Sequence, residues 1–121
     1  MNKPILCLDF DGVCHSYTSG WKGAEVIPDP PVPGLWEFLR EAEESFEINI
    51  FSSRTNQEGG IDAMMEWFEQ NKPLGWHVTL HFPIEKPPAF IGIDDRVLLF
   101  TGVWPKVEDL VNFKPWNKKD V

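Results

Sequence analysis

Asp9 and Asp11 stand two residues apart where the apolar run Ile5-Leu6-Cys7-Leu8 stops and Gly12 opens a turn. Strand side chains alternate between faces, so both carboxylates leave the strand end on one side while Phe10 turns into apolar cover. Like charges placed in this way repel, and a divalent cation between them is the simplest relief. Other chemically active residues stand at the ends of further strand candidates. Ile48-Asn49-Ile50-Phe51 runs into Ser52-Ser53-Arg54-Thr55, Phe90-Ile91-Gly92-Ile93 runs into Asp94-Asp95-Arg96, and Lys86 precedes the latter strand. Carboxylates, a hydroxyl and a lysine suit a hard, oxygen-loving cation and an anionic ligand, with phosphate a better fit than a neutral substrate.

In an open parallel sheet, ligands bind beyond the carboxyl ends of the strands, so the elements must bring these ends to one edge. Strand candidates fall at roughly 4–9, 47–52, 78–82, 90–94 and 97–100. Leu35, Phe38, Leu39 and Ala42 come after Pro33-Gly34 with i, i+3, i+4, i+7 spacing, and Ile61, Met64, Met65 and Phe68 repeat it after Gly59-Gly60. Each helix is expected to cover one face of the sheet, and Met64-Met65 to fill gaps in the core. A third, short helix is expected from Val107 to Val111. The alternation predicts an α/β fold: a Rossmann-like parallel sheet of about five strands flanked by helices. Residues 13–33, with Tyr17, Gly20, Trp21, Gly23 and four prolines, read as a short flap over the strand ends, too small for a cap domain. Trp21 and Tyr17 either stack on a substrate or anchor that flap. The tail from Trp116 to Val121 reads as a frayed end.

A chain of 121 residues makes one domain, 1–121, with enough length for a core without disulfides or structural zinc. The net charge of -8 disfavours non-specific binding to duplex nucleic acid or anionic lipid. Cys7 and Cys14 lack zinc-ligand spacing and read as reduced, buried thiols. With neither a signal-peptide pattern nor an apolar run of membrane-spanning length, a cytoplasmic protein without a membrane partner is expected.

Together these residues resemble the haloacid dehalogenase superfamily of phosphohydrolases over most of the chain. Asp9-Phe10-Asp11-Gly12-Val13 is similar to its first motif, Ser52 to its second, Lys86 to its third and Asp94-Asp95 to its fourth, and four motifs in order are far more specific than one. The resemblance implies a phosphatase, in which Asp9 is the nucleophile that forms an aspartyl-phosphate and Asp11 is the general acid and then the base. It implies Mg2+ held by Asp9, the main-chain carbonyl of Asp11 and a strand-four aspartate, with Asp95 favoured as the direct ligand over Asp94. Ser52 would bind a phosphoryl oxygen and Lys86 would neutralise its charge. Pro87 and Pro88 favour an extended path between Lys86 and the last strand, long enough for the lysine stem to reach the site.

The remaining candidates each have a plainer reading. Gly12, Ser53 and Arg54 complete the candidate substrate contacts, with Ser53 the substitute for Ser52 if the register slips by one. Arg54 either binds phosphate or pairs with an acid, and Arg96 reads as structural. His15 either touches substrate or, as the plainer reading, is a solvated or hydrogen-bonded bystander; His77 and His81 read as structural, and Trp104, Phe113 and Trp116 as packing residues. A receiver domain has similar size and residue types, but needs its acceptor Asp where this chain has Phe51-Ser52-Ser53. A non-catalytic phosphate- or protein-binding module is the other rival. A capless site is open, which implies a phosphorylated substrate too large to enclose or a small ester covered by a second copy of the chain. Ile93-Asp94-Asp95-Arg96 is similar to polynucleotide 3'-phosphatases, so a phosphorylated nucleic-acid end stands as an alternative to a small metabolite. The acidic charge offers no groove for a long strand.

Overall fold

The computed structural model describes residues 2–117. Its four parallel strands are β1 (Ile5–Leu8), β2 (Glu47–Ile50), β3 (Leu80–His81) and β4 (Ile91–Ile93), arranged in the order β3-β2-β1-β4. Leu8 is in register with Ile50 on one side and Ile93 on the other, so these three strands end at one level. The residues immediately after β1, β2 and β4 are therefore delivered to a common edge.

The helices α1 (Leu35–Glu43), α2 (Gly60–Asn71) and α3 (Val107–Val111) fall where the spacing predicts them. Leu35, Leu39 and Ala42 of α1 and Met64, Trp67 and Phe68 of α2 pack with Leu6, Leu8, Phe10, Ile48 and Ile50 in one core. The rings of Trp36 and Phe68 lie 6.1 Å apart, so both helices share one face of the sheet rather than covering one face each. Strand order explains this correction. The steps β1 to β2 and β2 to β3 run in the same direction across the sheet, and right-handed crossovers then place both helices on the same side. Met65 is 47% exposed, so only Met64 fills the core.

The last third of the chain departs most from expectation. Residues 97–100 form no strand, and the sheet has four strands among the described residues. The Arg96 amide donates to Asp94 Oδ1 at 2.8 Å, a turn that bends the chain directly after β4. Val97, Leu98, Leu99 and Phe100 stay exposed, as do Val107, Leu110 and Val111 of α3. Trp104 is exposed and lies tilted against Phe100, with ring centroids 4.8 Å apart, instead of entering the core. Trp116 and Asn117 are tied down rather than frayed: the Trp116 indole donates to the Gly12 carbonyl at 2.8 Å and the Asn117 amide to the Ser16 carbonyl at 3.0 Å. The rest of the expected frayed tail, 118–121, lies outside the described residues.

The segment 13–33 contains no helix. It closes on itself through Ser16 N–H to Pro30 O and Val32 N–H to Cys14 O, at 3.0 and 2.9 Å. Trp67 of α2 anchors it further by donating its indole N–H to Asp29 O at 3.1 Å. Cys14 is buried and Cys7 half-buried, and both are free thiols. No helix among the described residues is long and apolar enough to cross a membrane.

Candidate active site

Asp9 comes directly after β1, and its amide donates to Ile93 O at 3.0 Å, which locks the β1 end against the β4 end. Asp94 and Asp95 begin where β4 stops, so this pairing brings three carboxylates together. One oxygen from each of Asp9, Asp94 and Asp95 lies within 4.8 Å of the others. Gly12 makes the approach feasible. Its φ is +82°, and a Cβ there would fall 2.1 Å from Asp95 Oδ2, so any other side chain would displace the aspartate.

The electrostatics of this cluster favour a cation. Burial, and next the charge of Asp94, push the Asp9 carboxyl up to about 8 against the opposing hydrogen bond from the Phe10 amide. Asp95 is also raised, mainly by burial, while its hydrogen bond with Asp9 works the other way. Asp95 Oδ1 is buried and has no hydrogen-bond partner among the described residues. Clustered carboxylates with an unsatisfied oxygen fit a hard divalent ion, which would relieve the repulsion and satisfy that atom.

Asp11 stands apart from this cluster. Arg54 Nε donates to its Oδ1 and Oδ2 at 3.1 and 2.9 Å, and His15 Nδ1 donates to Oδ1 at 2.9 Å. His15 is fully buried, and its Nε2 accepts the Asp29 amide at 3.0 Å. That contact fixes the tautomer: Nε2 is the bare nitrogen and Nδ1 carries the proton directed at Asp11. Asp29 in turn accepts the Ser19 amide and hydroxyl at 2.8 and 2.6 Å. Burial opposes ionisation of Asp29, but these bonds from Ser19 hold its carboxyl below the usual range.

Ser52 is buried directly beyond β2, in a turn where its amide donates to Thr55 Oγ1 at 3.0 Å and its Oγ accepts the Arg54 amide at 3.1 Å. Accepting that amide leaves the Ser52 hydroxyl proton available to a ligand. Asp9, Ser52, Ser53, Lys86 and Asp94 all line a groove of about 850 Å³, whose remaining walls are largely apolar and include Phe51, Phe90 and residues 97–100. Lys86 and Ser53 are exposed in it, with the Ser53 carbonyl taken by Gln57 Nε2 at 3.0 Å.

Arg54 is the residue whose surroundings differ most from a phosphate contact. It is fully buried, and of the two readings its sequence allows, the geometry matches pairing with an acid. Gly12 likewise spends its amide on His15 O at 2.7 Å and contributes room for Asp95 instead of a donor to a ligand. Two functional candidates carried no sequence signal of their own. His15 looked like any loop histidine, and Asp29 was hidden between prolines; only the closed loop places both behind Asp11. Comparison of the chain with models of protein families, with curated proteins and with solved structures returns no match.

Proposed function

We propose that the chain is a Mg2+-dependent phosphomonoester hydrolase of the haloacid dehalogenase type, with a Rossmann-like sheet and Asp9 as nucleophile. The observation that carries this reading is the convergence of Asp9, Asp94 and Asp95 within 4.8 Å, beside a groove that Asp9 shares with Ser52 and Lys86. Asp9 and Asp95, with Asp94 beside them and the Asp11 main-chain carbonyl, would hold the ion. When bound, it would neutralise the carboxylates and the phosphoryl oxygens.

A carboxylate oxygen of Asp9 attacks phosphorus, and the bond from phosphorus to the ester oxygen breaks. Asp11 gives its proton to the departing oxygen, so the alcohol leaves neutral. Water then attacks the aspartyl-phosphate while Asp11 takes back a proton, and inorganic phosphate leaves with Asp9 regenerated. The Ser52 hydroxyl and the Lys86 ammonium bind the phosphoryl oxygens through both steps.

The test is release of inorganic phosphate from p-nitrophenyl phosphate with millimolar Mg2+ and with EDTA. Turnover that EDTA abolishes and Mg2+ restores is expected. Equal rates in the two conditions would rule out a role for the metal.

A further inference from the structure

The Arg54 guanidinium reaches two parts of the molecule at once. Its Nε holds both carboxylate oxygens of Asp11, while its Nη1 donates to three flap carbonyls, Gly23 O and Ala24 O at 2.9 Å and Val26 O at 3.3 Å. Trp21 covers the group, with the guanidinium carbon 4.8 Å from its ring centroid. The backbone that carries Arg54 is itself fixed. Its amide donates to Ser52 Oγ, and Gly60 at the start of α2 packs so closely that a Cβ there would fall 1.8 Å from the Arg54 carbonyl oxygen.

We infer that Arg54 is a positioning residue that couples docking of the flap segment 21–26 to the orientation of Asp11. The inference rests on the phosphohydrolase reading above. Among the described residues Asp11 Oδ1 is held by two donors, His15 Nδ1 and Arg54 Nε, whereas Oδ2 is held by Arg54 Nε. Oδ1 is therefore the anchored oxygen, and Oδ2 keeps a lone pair for the proton that is passed to the leaving alcohol. Undocking the flap removes three acceptors from the guanidinium, frees it to turn, and with it the carboxylate. Docking of the flap and orientation of the proton donor are thus linked through one guanidinium.

This role differs measurably from simple structural support. An alkyl phosphate needs its leaving oxygen protonated, whereas p-nitrophenolate leaves without that help, and kcat/KM reports only the steps through phosphoryl transfer. Arg54→Lys keeps the charge but loses the planar fork that serves Asp11 and the flap together. It is expected to lower kcat/KM about 100-fold for glycerol phosphate and only a few-fold for p-nitrophenyl phosphate. Trypsin cleavage after Lys22, in the flap, is expected to accelerate in the same variant. Should Arg54→Lys fail to fold, Trp21→Ala at a half-exposed position is expected to show the same substrate-selective loss, several-fold in size, with faster Lys22 cleavage. Equal losses on the two esters, or faster cleavage with no selective loss, would overturn the coupling. A wild type inactive on both esters with Mg2+ would instead overturn the phosphohydrolase reading on which it rests.

Discussion

Asp9→Asn is expected to lose phosphatase turnover by a factor on the order of 10⁴ or more, and yet to be more stable than the wild type when metal is absent. The loss follows from removal of the attacking oxygen: an amide of the same shape binds the ester but forms no acyl-phosphate. The gain follows from the cost of the native carboxyl. Burial and the neighbouring Asp94 hold Asp9 at about 8, so folding a metal-free chain at neutral pH forces this group to keep a proton or accept repulsion. Asn carries no charge, and its amide can donate to Asp94 or Asp95. A stabilisation of about 2 kcal/mol is expected, a rise of several degrees in the melting temperature in EDTA. In millimolar Mg2+ the advantage should vanish, because only the wild type retains the full ligand set and gains from binding the ion. A variant that melts below the wild type in EDTA would contradict this view of the cluster.

The pH dependence of stability is the second large expected effect. The folded Asp9 carboxyl titrates near 8 and an unstructured one near 3.8, so between these limits the native state holds more protons than the unfolded state. The stability associated with that proton is complete below about pH 4 and disappears as pH rises toward 8. Asp95, also raised, adds to the same slope, while the stability that Asp29, lowered, contributes is present above the usual carboxylate range and is lost only as pH falls at the acid end. The metal-free melting temperature should therefore fall steadily between about pH 5 and pH 8. Added Mg2+ should flatten the curve, with its largest gain at about pH 8, where the cluster is most fully ionised. A flat metal-free profile, or a gain from Mg2+ that does not grow with pH, would show that the three aspartates are not the ion's ligands.

The parts of this site that sequence made legible are those that depend on local pattern. An apolar run that leads into Asp9 and Asp11, a strand that leads into Ser52 and another that leads into Asp94 and Asp95 all end at the level the register sets. Helices α1 and α2 were equally legible, since their apolar spacing and preceding glycines are within one segment. Strand order was not, because nothing local distinguishes a helix on one face from a helix on the other. Arg54 read equally as a phosphate contact or as the partner of an acid for a related reason. Its partners are Asp11 and residues 23–26, distant in sequence, and an arginine after a strand ordinarily faces solvent. Residues 97–100 misled in the opposite direction, because four consecutive apolar residues imply burial that the chain around them does not provide.

Asp9 itself carrying the phosphate is the claim on which the proposed chemistry depends. It is tested most directly by mixing the protein with Mg2+ and p-nitrophenyl phosphate, quenching in acid, and reducing the acyl-phosphate with borohydride. Mass spectrometry of the digest then locates the modified residue. The expected product is homoserine at position 9, formed only with Mg2+ and ester together and absent from Asp9→Asn. Steady turnover with Asp9 unmodified, or reduction at another carboxylate, would contradict Asp9 as the nucleophile.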